Sequence, residues 1–107
     1  IFCAVGVADG TDAYIATSPD GITWTERANP KNVTLWGITW NGSIFCAVGF
    51  ADATDAYILT SPDGITWTER ANPKNVTLYG ITWNGSIFCA VGDVDGTDAY
   101  IATSMLN

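Results

Sequence analysis

Histidine is absent from this sequence and basic residues are scarce: four Lys and Arg stand against eleven Asp and Glu, for a formal net charge of −7. Without an imidazole there is no histidine general acid or base at neutral pH, and no Ser–His or Cys–His nucleophile. The negative balance makes nucleic acid and anionic membrane surfaces poor partners. No apolar run approaches the length of a membrane span, and no stretch reads as a signal peptide. Nor does any segment carry a 3.6-residue apolar period long enough for a helix. The three cysteines form no Cys-x-x-Cys pair, and an odd number at equivalent positions is not a disulfide framework. Cys3, Cys46 and Cys89 read instead as small buried hydrophobes that stay reduced.

What is present is repetition. Ile-Phe-Cys-Ala-Val-Gly begins at Ile1, Ile44 and Ile87, a period of 43 residues. Ser18, Ser61 and Ser104 keep the same phase, as do Trp24 with Trp67 and Trp40 with Trp83. Residues 1–43 and 44–86 differ at four positions: Val7/Phe50, Gly10/Ala53, Ala16/Leu59 and Trp36/Tyr79. Such a period marks stacked supersecondary units, none of which buries its apolar faces alone. A chain of 107 residues, 48% apolar and 12% aromatic, has the material for one folded domain. With Ile1 in place of Met, the expectation is that residue 1 arises by processing, tag cleavage or truncation of a longer parent.

Each repeat reads as four short strands. Residues 35–40 alternate and stop at Asn41-Gly42, a tight-turn signal. Residues 44–48 are apolar throughout, as in a strand covered on both faces. Residues 56–60 follow the loop 49–55, and Ser61-Pro62-Asp63-Gly64 places Pro and Gly in turn positions. Residues 65–69 alternate, with a polar face suited to an outer edge. Four antiparallel strands in a unit of this length make one blade of a β-propeller, with Trp rings filling the wedge between blades. The expected fold is therefore all-β, with about two and a half repeats: a partial blade 1–27, a full blade 33–70 and a partial blade 76–104.

Residues Ser61, Pro62, Asp63, Gly64, Ile65, Thr66 and Trp67, matched by Ser18, Asp20, Gly21, Thr23 and Trp24, resemble the Asp-box of sialidase-like (BNR-type) propellers. That motif runs Ser-x-Asp-x-Gly-x-Thr-Trp; here it is one residue shorter between Asp and Thr, a variant similar to repeats of some phage and bacterial surface proteins. The resemblance implies a structural role, with Asp and Ser tying down the turn between the third and fourth strands and Trp packing into the blade. It implies no activity. A sialidase needs an arginine cluster and a tyrosine nucleophile, whereas Arg27 and Arg70 occupy equivalent outer positions and do not converge. We therefore expect no enzyme.

Two features point to ligands. The loop Asp93, Asp95 and Asp98 has the spaced carboxylates of a Ca²⁺ site, but the equivalent loops lack the first Asp and no bidentate Glu follows. An ordinary hairpin loop, its Asp side chains bonded to its own backbone, explains the same residues, and no cofactor is expected. Trp36 and Tyr79 occupy the one aromatic position that changes between copies, and rings near loops stack on sugars; inter-blade packing is the competing explanation. Four Asn-x-Ser/Thr acceptor patterns, at Asn32, Asn41, Asn75 and Asn84, matter only in a secreted eukaryotic chain.

Assembly carries the most weight. Propellers close with roughly 4–8 blades, more than this chain supplies. Left open, its two end faces, rich in Phe, Trp, Ile and Val, exceed what a monomer usually exposes. The expected partner is a second copy, two chains together giving six blade positions; three chains are needed if overlapping end strands are displaced. The expected function is a self-assembling repeat scaffold, and the alternative is a multivalent glycan-binding module.

Overall fold

The computed structural model describes residues 1–8, 14–28, 33–51, 56–71, 74–94 and 99–105. Among them all regular structure is β, in three antiparallel sheets. The first sheet runs β1 (Phe2–Val5), β2 (Ile15–Ser18), β3 (Thr25–Arg27). The central sheet runs β4 (Leu35–Trp40), β5 (Phe45–Ala51), β6 (Ala56–Ser61), β7 (Thr68–Arg70). The last runs β8 (Leu78–Trp83), β9 (Ile87–Val94), β10 (Ala99–Met105). No helix among the described residues is long and apolar enough to cross a membrane.

The hairpins form where turn chemistry demands. Asn41 Oδ1 accepts from the Ser43 and Ile44 amides, both at 2.8 Å, and Gly42 takes the left-handed φ of 97° that a side chain would resist. Beyond the turn Trp40 faces Phe45 across the ladder, ring centroids 4.6 Å apart. Trp83 and Phe88 repeat this at 5.0 Å after the Asn84 turn. Registers recur as well: Phe2 opposes Ser18, Phe45 opposes Ser61 and Phe88 opposes Ser104.

The fourth run differs from expectation. Residues 65–69 alternate like a strand, yet β7 begins only at Thr68. Asp63 Oδ1 holds the Ile65 and Thr66 amides at 2.8 and 3.0 Å, so those donors belong to the turn and not to the ladder. At the other end, β5 extends beyond residue 48 to Ala51, because the Phe50 amide donates to the Thr34 carbonyl at 3.1 Å.

The core sits between sheets. Ile15 of the first sheet packs with Leu35, Phe45, Ala47, Tyr57, Leu59 and Trp67 of the central one. Val48 of the central sheet packs with Leu78 and Ala90 of the last. Backbone contacts stitch the junctions: Ala8 N donates to Thr34 Oγ1 at 2.9 Å, and Ala51 N to Thr77 Oγ1 at 3.0 Å. Leu35 N donates to the Gly6 carbonyl at 3.1 Å. Both threonines are buried, so each hydroxyl removes an amide donor from an apolar interface at little cost. At Gly37 β4 and β8 approach closely: a Cβ there would lie 3.3 Å from Gly80 Cα.

Candidate functional site

The two Ser-Pro-Asp-Gly-Ile-Thr-Trp segments fold alike. Ser18 Oγ accepts from Gly21 N at 2.8 Å, and Asp20 Oδ1 accepts from Ile22 N at 2.8 Å and Thr23 N at 3.0 Å. In the second copy Ser61 Oγ accepts from Gly64 N at 2.7 Å, and Trp67 Nε1 donates to Gly64 O at 2.9 Å. Gly21 and Gly64 sit at φ 81° and 80°. The serine hydroxyls donate to the carboxylates, at 3.0 Å for Ser18 to Asp20 and 3.1 Å for Ser61 to Asp63. These polar groups serve the turn.

Hydrogen bonds from the Thr23 and Ile22 amides, then from Ser18, hold the Asp20 carboxyl below its ordinary range. The Thr66 and Ile65 amides do the same for Asp63. A folded value below the unfolded one means that each carboxylate stabilises the fold above about pH 4, and that this is lost as pH falls through the depressed value. The thermal midpoint is therefore expected to fall below about pH 4, and to fall less steeply in an Asp20→Asn/Asp63→Asn double variant, measured by circular dichroism. A double variant as acid-sensitive as the parent would show that other carboxyls dominate.

Of the three cysteines expected to be buried, Cys46 is buried, whereas Cys3 and Cys89 are half-buried. Burial pushes the Cys3 and Cys46 thiols up to about 11, leaving them protonated and poorly nucleophilic at neutral pH. Arg27 Nε donates to Thr17 Oγ1 and Arg70 Nε to Thr60 Oγ1, both at 2.9 Å, so each guanidinium is held on its own sheet. Asn41 Oδ1 is committed to its turn and its Nδ2 is buried, an unsuitable geometry for a glycosylation acceptor.

Of the three loop aspartates, Asp93 lies on β9, its amide donating to the Thr77 carbonyl at 2.9 Å. Asp95 and Asp98 lie outside the described residues. Among those described, no three His, Cys, Asp or Glu side chains gather to hold a metal.

Trp36 and Tyr79 do come together. The β4–β5 register shifts between Leu35 and Gly37, and the β8–β9 register between Leu78 and Gly80. Each shift marks an irregularity at the aromatic residue, of the kind that re-aims a side chain. The Trp36 and Tyr79 ring centroids lie 5.9 Å apart across the central–last junction. A third ring, Phe50, stands edge-on to Trp36 at 5.6 Å. All three are exposed to solvent along part of their surface. Packing and exposure thus coexist at this position. Variation at Val7/Phe50/Asp93 in copies that are otherwise nearly alike marks that loop as tolerant and as a possible site, but the contact of Phe50 with Trp36 is not legible in the sequence.

Comparison of the chain with family models, curated proteins and solved structures finds no match.

Proposed function

We propose that the chain is a self-assembling β-propeller scaffold that closes its ring with further copies of itself and carries no catalytic site. One observation carries this reading: side chains buried inside the chain are exposed at its ends. Phe45 is 6% exposed and its equivalent Phe2 56%; Val48 is fully buried and its equivalent Val91 47% exposed. The first sheet offers Phe2, Tyr14 and Trp24, and the last offers Val91 and Ile101. These are the two surfaces that meet at the internal junctions, where Phe45, Tyr57 and Trp67 face the first sheet and Val48 and Ile58 face the last. Two complementary surfaces at opposite ends make a head-to-tail contact, which forms a ring when its rotation closes. Open apolar faces of this kind favour association over a monomer.

The test is mass in solution by light scattering. A dimer of six blade positions is expected, and a folded monomer at micromolar concentration would refute the reading.

The Trp36, Phe50 and Tyr79 cluster favours a second reading, a multivalent glycan-binding module. Exposed rings present flat apolar faces to a sugar, and a ring of chains multiplies one weak site into avidity. Titrating an assembled species with an array of glycans, beside Trp36→Ala, separates the two: loss of binding in the variant supports the module, and no binding leaves the scaffold.

A further inference from the structure

An asparagine followed by glycine leaves its side-chain amide open to attack by the next main-chain nitrogen, because glycine has no Cβ to hinder the approach. The chain has two such pairs, Asn41-Gly42 and Asn84-Gly85, each between the paired strands of a hairpin. Asn41 belongs to the central sheet, which packs against the first sheet on one face and the last on the other, so its surroundings are set inside the chain. A Cβ at Gly42 would meet nothing within 4 Å, and residues 42 and 43 are exposed.

The turn treats the two ends of the Asn41 carboxamide differently. Oδ1 accepts from Ser43 N and Ile44 N, both at 2.8 Å. Paired backbone donors at that distance stabilise the negative oxygen of a tetrahedral intermediate. Nδ2 is buried and has no hydrogen-bond partner. Its unpaired donors raise the free energy of the amide, and departure of the nitrogen removes that cost. The ring closed by the bond from Ser43 N to Oδ1 contains both Asn41 Cγ and Gly42 N, so electrophile and nucleophile are held within one turn.

We propose that Asn41 is a site of spontaneous deamidation, with the Ser43 and Ile44 amides acting as its oxyanion pocket. Hydroxide takes the proton from Gly42 N, which bonds to Asn41 Cγ while the carbonyl electron pair moves onto Oδ1. Collapse of this intermediate breaks the Cγ–Nδ2 bond, and the nitrogen takes a proton from water and leaves as ammonia. A cyclic imide remains, which water reaches from the exposed side of the turn. Water adds to one imide carbonyl and the C–N bond there breaks, its proton passing to the nitrogen. Opening at Cγ gives aspartate on the original backbone; opening at the main-chain carbonyl gives isoaspartate, whose backbone runs through Cβ. The net change replaces one amide nitrogen by oxygen, with no oxidation or reduction. An aspartate keeps both turn bonds, as Asp63 does with the Ile65 and Thr66 amides. An isoaspartate lengthens a hairpin closed by Asn41 N donating to Ile44 O at 3.1 Å, and loosens it. Asn84 repeats the pocket, with Ser86 N at 2.9 Å, Ile87 N at 3.0 Å and Gly85 at φ 101°. None of this depends on the scaffold reading.

The experiment incubates the full-length chain in mildly alkaline buffer, folded or unfolded in urea, and follows nitrogen loss by mass spectrometry of tryptic peptides. Cleavage after Arg70 and Lys74 places Asn41 and Asn84 in different peptides. Asn41 is expected to deamidate about tenfold or more faster in the folded chain than in urea. Ser43→Pro deletes one pocket donor and should slow the folded chain by about tenfold, whereas Ser43→Ala keeps the N–H and should leave the rate unchanged. If the proline variant does not fold, the comparison of parent chain with and without urea decides alone. A folded rate equal to or below the unfolded rate overturns the proposal, because the turn then protects the amide. An unchanged rate in folded Ser43→Pro overturns the pocket.

Discussion

Trp67→Ala is expected to destabilise the fold by about 3–5 kcal/mol, the range for removing a buried aromatic from a core. The ring lies in the cluster with Ile15, Phe45 and Leu59, and its Nε1 hydrogen-bonds Gly64 O at 2.9 Å. Trp24→Ala provides the control. It removes the same residue from the same turn, with the same Nε1 bond, to Gly21 O at 3.2 Å, but from a surface that is 44% exposed. Its cost to a single chain should be below about 1 kcal/mol. If the first sheet faces another copy, the Trp24→Ala loss should also grow with protein concentration, because it then includes lost association. Thermal or denaturant unfolding across a concentration series reads both effects. Equal losses in the two variants would mean that the turn, and not the junction, accounts for the indole's contribution.

A second matched pair concerns glycine. Gly49→Ala should be among the most damaging small substitutions in the chain. A Cβ there would overlap the Thr34 carbonyl oxygen and lie 3.0 Å from Leu35 Cα, so backbone and not a flexible side chain must move. Overpacking against side chains costs about 1–3 kcal/mol; against two backbones the loss should reach or exceed the top of that range. At Gly6, 43 residues earlier, the nearest atom is Tyr14 Cβ at 3.9 Å. Gly6→Ala should be neutral, or stabilising by a few tenths of a kcal/mol through the unfolded state. Gly92 is crowded by Thr77 as Gly49 is by Thr34, so Gly92→Ala should follow Gly49→Ala. Denaturant midpoints measure all three, and a mild Gly49→Ala would show that β4 can shift away from β5 without loss.

Such pairs show how far the residues themselves reach. All-β character, turn positions and much of the strand pattern were legible because they rest on local chemistry. Asn41-Gly42 needs a left-handed glycine, and the serine and aspartate of each box find their partners within five residues. The same locality explains one failure. The alternation of residues 65–69 resembles a strand, but Asp63 competes for the Ile65 and Thr66 amides, and hydrogen-bond competition does not appear in apolar periodicity. The aromatic cluster was half legible. The positions of Trp36, Tyr79 and Phe50 all declared themselves by changing between copies, but only adjacent strands and a register shift bring the three rings together.

The sequence by itself determined the repeat, the turns and the all-β class, since each depends on residues close together in the chain. What only the tertiary structure decided is the difference between copies. Trp24 and Trp67 have the same neighbours in sequence, and Gly6 and Gly49 close the same Ile-Phe-Cys-Ala-Val run, yet one of each pair is open and the other enclosed. Burial depends on which sheet lies against a given face, and that is a property of position in the stack.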